Sequence, residues 1–125
     1  MAELMRISRR HLYPVLVAAS AVFPVSARAH AIIVSSDPAA GGRVHGPIID
    51  FRLQYNSRID PKRSRLVLDL PDGSRRPLSI RAENSLDTLA AKATGLSPGS
   101  YRLHWQVLSV DGHITRGDIP FAVTP

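Results

Sequence analysis

Between positions 101 and 107 the side chains change character at every step: Tyr101, Leu103, Trp105 and Val107 are apolar, and Arg102, His104 and Gln106 between them are polar. A period of two puts the two sets on opposite faces of an extended chain, which a helix of about 3.6 residues per turn cannot do. The same sign recurs. Residues 48–55 set Phe51, Leu53 and Tyr55 against Arg52 and Gln54, as in a strand buried on one side. Residues 65–70 align Leu66, Leu68 and Leu70; Pro71-Asp72-Gly73-Ser74 supplies a turn, and residues 75–80 return as the second arm of a hairpin. Further strands are expected at 31–34, 87–92 and 119–123, with breaks at Asp37-Pro38, Gly41-Gly42, Gly95-Leu96-Ser97-Pro98-Gly99, Gly112 and Gly117. No stretch of ten residues carries a 3.6 period. About seven short strands at this spacing predict an all-β fold, an immunoglobulin-like β-sandwich or partial Greek-key β-barrel.

The first 29 residues stand apart. Arg6, Arg9 and Arg10 precede a mostly apolar stretch at 12–25, followed by Ser26-Ala27-Arg28-Ala29. Basic, apolar and small-residue zones in that order make a secretory signal peptide, while Pro14 and Pro24 argue against a packed helix. Ser8-Arg9-Arg10 leaves the Sec and Tat routes open. Cleavage after Ala27-Arg28-Ala29 makes His30 the first mature residue; cleavage after Ala27 would leave Arg28 in front, and cleavage after Ala31 would remove the histidine. The expected division is a signal peptide at 1–29 and a single β domain at 30–125.

Removing 29 of the 125 residues, four basic and one acidic among them, lowers the formal charge from +6 to +3. Much of the basic balance therefore belongs to the address. The remaining arginines, such as Arg63, Arg65, Arg75 and Arg76, are interspersed with acids and apolar strand residues and lack an aromatic platform, which argues against nucleic acid. No apolar run approaches the roughly 20 residues of a membrane span. The absence of cysteine excludes disulfides, zinc knuckles, iron–sulfur clusters and thiol nucleophiles. A mature chain this short buries about 60–65% of its unfolded surface, enough for one core and too little for a deep cavity besides, so a surface site is expected.

Four histidines survive cleavage: His30, His45, His104 and His113. A free N-terminal His30 could chelate one ion through its α-amino nitrogen and Nδ1. Asp111 and His113, two apart, would project from the same face if extended. The three residues together offer three nitrogens and one oxygen, a set that suits tetragonal Cu(II); Zn(II) or Ni(II) could use the same atoms, with copper ahead in the Irving–Williams order. Both methionines, Met1 and Met5, leave with the signal, so no thioether remains for Cu(I). The competing reading of the Asp-x-His triplet is an ordinary turn in which Asp111 accepts from backbone amides.

The mature region resembles the CopC family of periplasmic copper-binding proteins along nearly its whole length. The resemblance rests on the opening His30-Ala31-x-x-Val34-x-Ser36-x-Pro38-Ala39-x-Gly41 and on the run Gly99-x-Tyr101-x-Leu103-x-Trp105-x-Val107-x-Ser109-x-Asp111-Gly112-His113-x-x-x-Gly117. It implies a periplasmic Greek-key β-barrel holding one Cu(II) per mature chain through the N-terminal His30, a histidine brace, with Asp111 and His113. It further implies a copper carrier or buffer, not an enzyme, with a CopD-type inner-membrane copper transporter as partner. The chain departs from the family pattern in three places: Leu70–Pro77 carries no methionine, Gln54–Arg58 lacks the acidic residue some members place near copper, and Ile114 stands where proline is frequent.

His45, between Gly41-Gly42 and Gly46-Pro47 in a loop, is expected to be an exposed bystander, and His104, out of phase with Trp105, to be solvent-facing or half-buried on the outer face. Two other functions compete: a metal-free immunoglobulin-like interaction module, and a small copper monooxygenase of the lytic polysaccharide type.

Overall fold

The computed structural model describes residues 31–81 and 83–125. Nine strands follow one another: β1 (Ile33–Asp37), β2 (Gly42–His45), β3 (Ile49–Tyr55), β4 (Ile59–Asp69), β5 (Arg75–Leu78), β6 (Ile80–Arg81), β7 (Thr88–Ala93), β8 (Gly99–Ser109) and β9 (Ile114–Thr124). They form two open sheets, β1-β3-β7-β6 and β2-β9-β8-β4-β5. The expected all-β, immunoglobulin-like sandwich is thus found, as two open sheets that do not close into a barrel. All pairings are antiparallel except β2 with β9, which run parallel.

The alternating pattern explains which faces meet. Phe51, Leu53 and Tyr55 from one sheet and Leu66, Leu68, Tyr101, Leu103, Trp105 and Val107 from the other are all buried. Phe121 joins the sheets, edge-on to Phe51 and stacked on Tyr101, with both centroid distances 5.5 Å. Each such side chain contributes about 1.5–3 kcal/mol by leaving water.

Nine strands replace the expected seven for two reasons. The arm after the Pro71-Asp72-Gly73-Ser74 turn is not continuous: β5 pairs with β4 in one sheet, and after Ser79 the chain passes to the other sheet, where β6 pairs with β7. Gly42–His45, expected as the end of the Gly41-Gly42 break and a loop carrying His45, becomes β2 because it lies alongside β9. The four edge strands β1, β6, β2 and β5 hold 5, 2, 4 and 4 residues, whereas β4, β8 and β9, each of 11, are interior.

The topology brings distant parts of the chain to one end of the sandwich. Ile33 pairs with Tyr55 at the end of β3, and Ile59 pairs with Ser109 at the end of β8. The short β3–β4 loop between them therefore touches both the start of the described chain and the β8–β9 turn.

Candidate metal centre

Asp111 and His113 lie in that β8–β9 turn. Of the two arrangements open to the triplet, extended or turn, the chain adopts the turn: it reverses at Gly112, whose φ of 92° suits glycine and few other residues. The Gly112 amide donates to Ser109 O at 2.9 Å, and the Ser109 amide to His113 O at 2.9 Å, closing the loop. The reversal still places the two side chains together, with His113 Nδ1 3.3 Å from Asp111 Oδ1. Side-chain exposures of 51% for His113 and 45% for Asp111 leave both accessible to an ion from solvent.

Asp111 Oδ1 also accepts from the Ser109 hydroxyl at 2.6 Å and from the His113 amide at 3.2 Å. Those donors, the hydroxyl foremost, hold the carboxyl below its usual range and keep it ionised. Ser109 is buried, so its hydroxyl fixes the carboxylate from beneath. Ser109 shares the parity of Val107 on β8, and nothing in the sequence signalled that it would orient Asp111.

The start of the domain enters at the same end. The Asn56 side chain accepts from the Ile32 amide at 2.8 Å, the Asn56 amide donates to Ile32 O at 2.9 Å, and Val110 N donates to Arg58 O at 3.2 Å. One three-residue loop thus bridges Ile32, two residues after His30, to Val110, one residue before Asp111. Ala31 is fully buried, and Ser57 Oγ, in the bridging loop, is buried with no hydrogen-bond partner among the described residues. His30 itself, the expected cleavage site and the signal peptide lie outside the described residues. Among the described residues no group of three metal-ligating side chains converges, and the two of the expected set that are described stand next to each other.

Below the turn, Trp105 packs edge-on against Tyr55 at 5.3 Å, and burial pushes the Tyr55 hydroxyl's ionisation up. The absence of a side chain at Gly117 accommodates the indole: a Cβ there would lie 2.4 Å from Trp105 Cζ2.

The other histidines lie elsewhere. His45 is at the opposite end, opposite Thr124 on β9, with Nδ1 3.1 Å from Thr124 Oγ1 and 3.2 Å from the Pro125 carbonyl. That is the length of β9 away from His113, on the order of 30 Å. His104 is half-buried on the outer face, as its phase against Trp105 predicts, between Asp69 and Asp118, two partners that its sequence neighbours did not reveal.

Comparison with known proteins gives a consistent picture. The family model of the CopC domain matches residues 33–124. The copper resistance protein C of Xanthomonas campestris pv. juglandis is 29% identical over 117 residues, covering 87% of this chain and 91% of the relative. Protein YobA of Escherichia coli K12 is 25% identical, covering 89% and 92%. The crystal structure of CopC from Methylosinus trichosporium OB3b superposes with a TM-score of 0.72 at 27% identity, covering 77% of this chain and 95% of that one. The methionine-rich copper resistance protein PcoC of Escherichia coli shares the fold at a TM-score of 0.64 and 24% identity, covering 76% and 99%.

Proposed function

Since the chain belongs to the CopC family, we propose that it is a periplasmic copper carrier or buffer, holding one Cu(II) per mature chain with His30, Asp111 and His113. The observation that carries this reading is the bridge through the β3–β4 loop, which links Ile32 and Val110 and so brings the segment after His30 to the end that bears Asp111 and His113. Signal cleavage after Ala29 turns the His30 nitrogen from a peptide amide into a basic amine, supplying the remaining donor. The resulting set of nitrogens with one carboxylate is hard to borderline and favours Cu(II) over Cu(I).

The chain's own residues then act as follows. Asp111, kept ionised by Ser109 and the His113 amide, contributes charge without having to lose a proton at neutral pH. His30 and His113 must be unprotonated to bind, so protons compete with copper. Ligands mounted on an exposed turn suit loading and release better than catalysis, and a CopD-type inner-membrane transporter is the fitting recipient.

A metal-free interaction module draws on one observation, namely that Asp111 already serves as the acceptor that caps its own turn. Equilibrium dialysis of the secreted protein against one equivalent of Cu(II), with intact mass to identify the first residue, separates the two. The carrier binds one equivalent tightly and begins at His30. A different first residue, or no stoichiometric binding, overturns the proposal.

A further inference from the structure

The outer face of the five-stranded sheet carries a line of charge remote from the β8–β9 turn. His104 on β8 faces Asp118 on β9 as its cross-strand partner, while Asp69 on β4 lies diagonally, two residues beyond Val67, the β4 partner of His104. Both imidazole nitrogens are engaged: Nε2 is 2.6 Å from Asp69 Oδ2, and Nδ1 is in hydrogen-bond contact with Asp118 Oδ1. Arg75 Nε on β5 lies 3.1 Å from the other Asp69 oxygen, an ion pair without hydrogen-bond geometry, and Arg102 on β8 approaches the other Asp118 oxygen at 3.5 Å. One rank nearer the turn, Arg116 Nε donates to Gln106 at 2.8 Å, and Arg65 lies opposite Gln106 on β4.

The protonation state follows from counting donors. A neutral imidazole has one N–H and one lone pair, and a carboxylate has only acceptors. Two carboxylates on the two nitrogens would therefore leave one lone pair facing another, a repulsion that only a ring with two N–H groups removes. The ring is about seven-tenths buried, with 29% of its side chain exposed. That weakens solvent competition for both bonds. Nor can the trio bind one ion as it stands, because the carboxylates lie on opposite nitrogens and cannot converge with the ring on a single point.

We propose that His104 is a fixed imidazolium, clamped by Asp69 and Asp118, which ties β4 to β9 across β8 and keeps its own nitrogens from capturing metal. The second half rests on the copper reading above, and the first does not. Asp69 is the largest influence favouring the charged ring, Asp118 adds to it, and partial burial opposes both. For a copper carrier the consequence is selectivity: an accessible imidazole flanked by carboxylates would otherwise be a competing landing place, and the protons on its nitrogens close it.

The test is the ring nitrogen resonances of His104 in the metal-free secreted protein, followed from pH 5 to pH 9. Both nitrogens should be protonated at pH 6, with a midpoint above the ordinary histidine value of about 6.5. A midpoint at or below that value, or a single-proton tautomer at pH 6, overturns the clamp whether or not the protein binds copper. For the selectivity, D69N/D118N should take up a second copper equivalent that H104Q, added to it, abolishes. Unchanged stoichiometry in the folded double variant overturns that half alone.

Discussion

Replacing Gly117 by alanine offers a test of the packing beneath the turn, because opposing effects can be weighed. The new Cβ would lie 2.4, 2.6 and 2.8 Å from Cζ2, Cε2 and Nε1 of Trp105, where carbon atoms normally rest about 3.5–4.0 Å apart. The indole cannot simply withdraw, since it is buried, with the Tyr55 ring 5.3 Å away. Overpacking of this kind costs about 1–3 kcal/mol. Against it, alanine restricts the unfolded chain and returns about 0.4–1 kcal/mol where the backbone tolerates it, as it does here, φ not being positive. A net loss on the order of 1–2 kcal/mol remains, which for a domain of this size lowers Tm by roughly 4–15 °C. Thermal melts followed by far-UV circular dichroism would measure it, with Trp105 fluorescence reporting the ring's displacement. The decisive control is G117A in a W105F background, where the smaller ring should remove most of the penalty. A G117A protein as stable as the parent, or an equal loss in both backgrounds, would refute the reasoning.

Four further outcomes are expected. Asp111→Ala and His113→Ala should each cost more Cu(II) affinity than the roughly 10–100-fold typical of losing a ligand's outer partner, while His45→Ala costs nothing; competition with a chromophoric chelator reads all three. One residue added ahead of His30 should be as damaging as His30→Ala, because it converts the amine to an amide, and tight binding by the extended protein would exclude the brace. Copper affinity should fall as pH drops below about 6, where imidazole and α-amine hold their protons; Asp111, held below the usual carboxylate range, is not the group responsible, and an affinity flat from pH 8 to 5 would contradict the ligand set. The His104 clamp works in the opposite direction. A ring whose ionisation is raised on folding stabilises the fold fully below about 6.5 and loses that contribution as pH climbs through the folded value. The urea midpoint of the metal-free protein should therefore decline above neutrality more steeply than that of H104Q.

Local pattern carried most of the fold. The alternation at Phe51-Leu53-Tyr55 and at Tyr101-Leu103-Trp105-Val107 identified strands and inner faces together, because burial on one side of a pleated chain leaves a period of two. It could not announce β2, whose four residues are strand only because β9 runs parallel beside them, nor the step from β5 to β6 between sheets. Such elements are set by tertiary partners. At the candidate site, Asp111 and His113 were legible as a pair, but spacing alone left two conformations open, extended and turn, and the chain takes the turn at Gly112. Asp69 and Asp118 were invisible as partners of His104, being 35 and 14 residues away along the chain and adjacent only once the register of β4, β8 and β9 is known.

The placement of the long strands bears on how the protein behaves among many copies of itself. An exposed ladder recruits foreign chains in proportion to its length and flatness. Here the three eleven-residue strands are interior and the rims of the sandwich are four brief segments, one of them interrupted by Pro77 and the shortest ending on Arg81, but β2 covers only Phe121–Thr124 of β9 and β5 only Leu66–Asp69 of β4. The stretch of β9 that β2 leaves uncovered, Ile114–Ile119, carries Arg116 and Asp118, charges that discourage a foreign strand from pairing there.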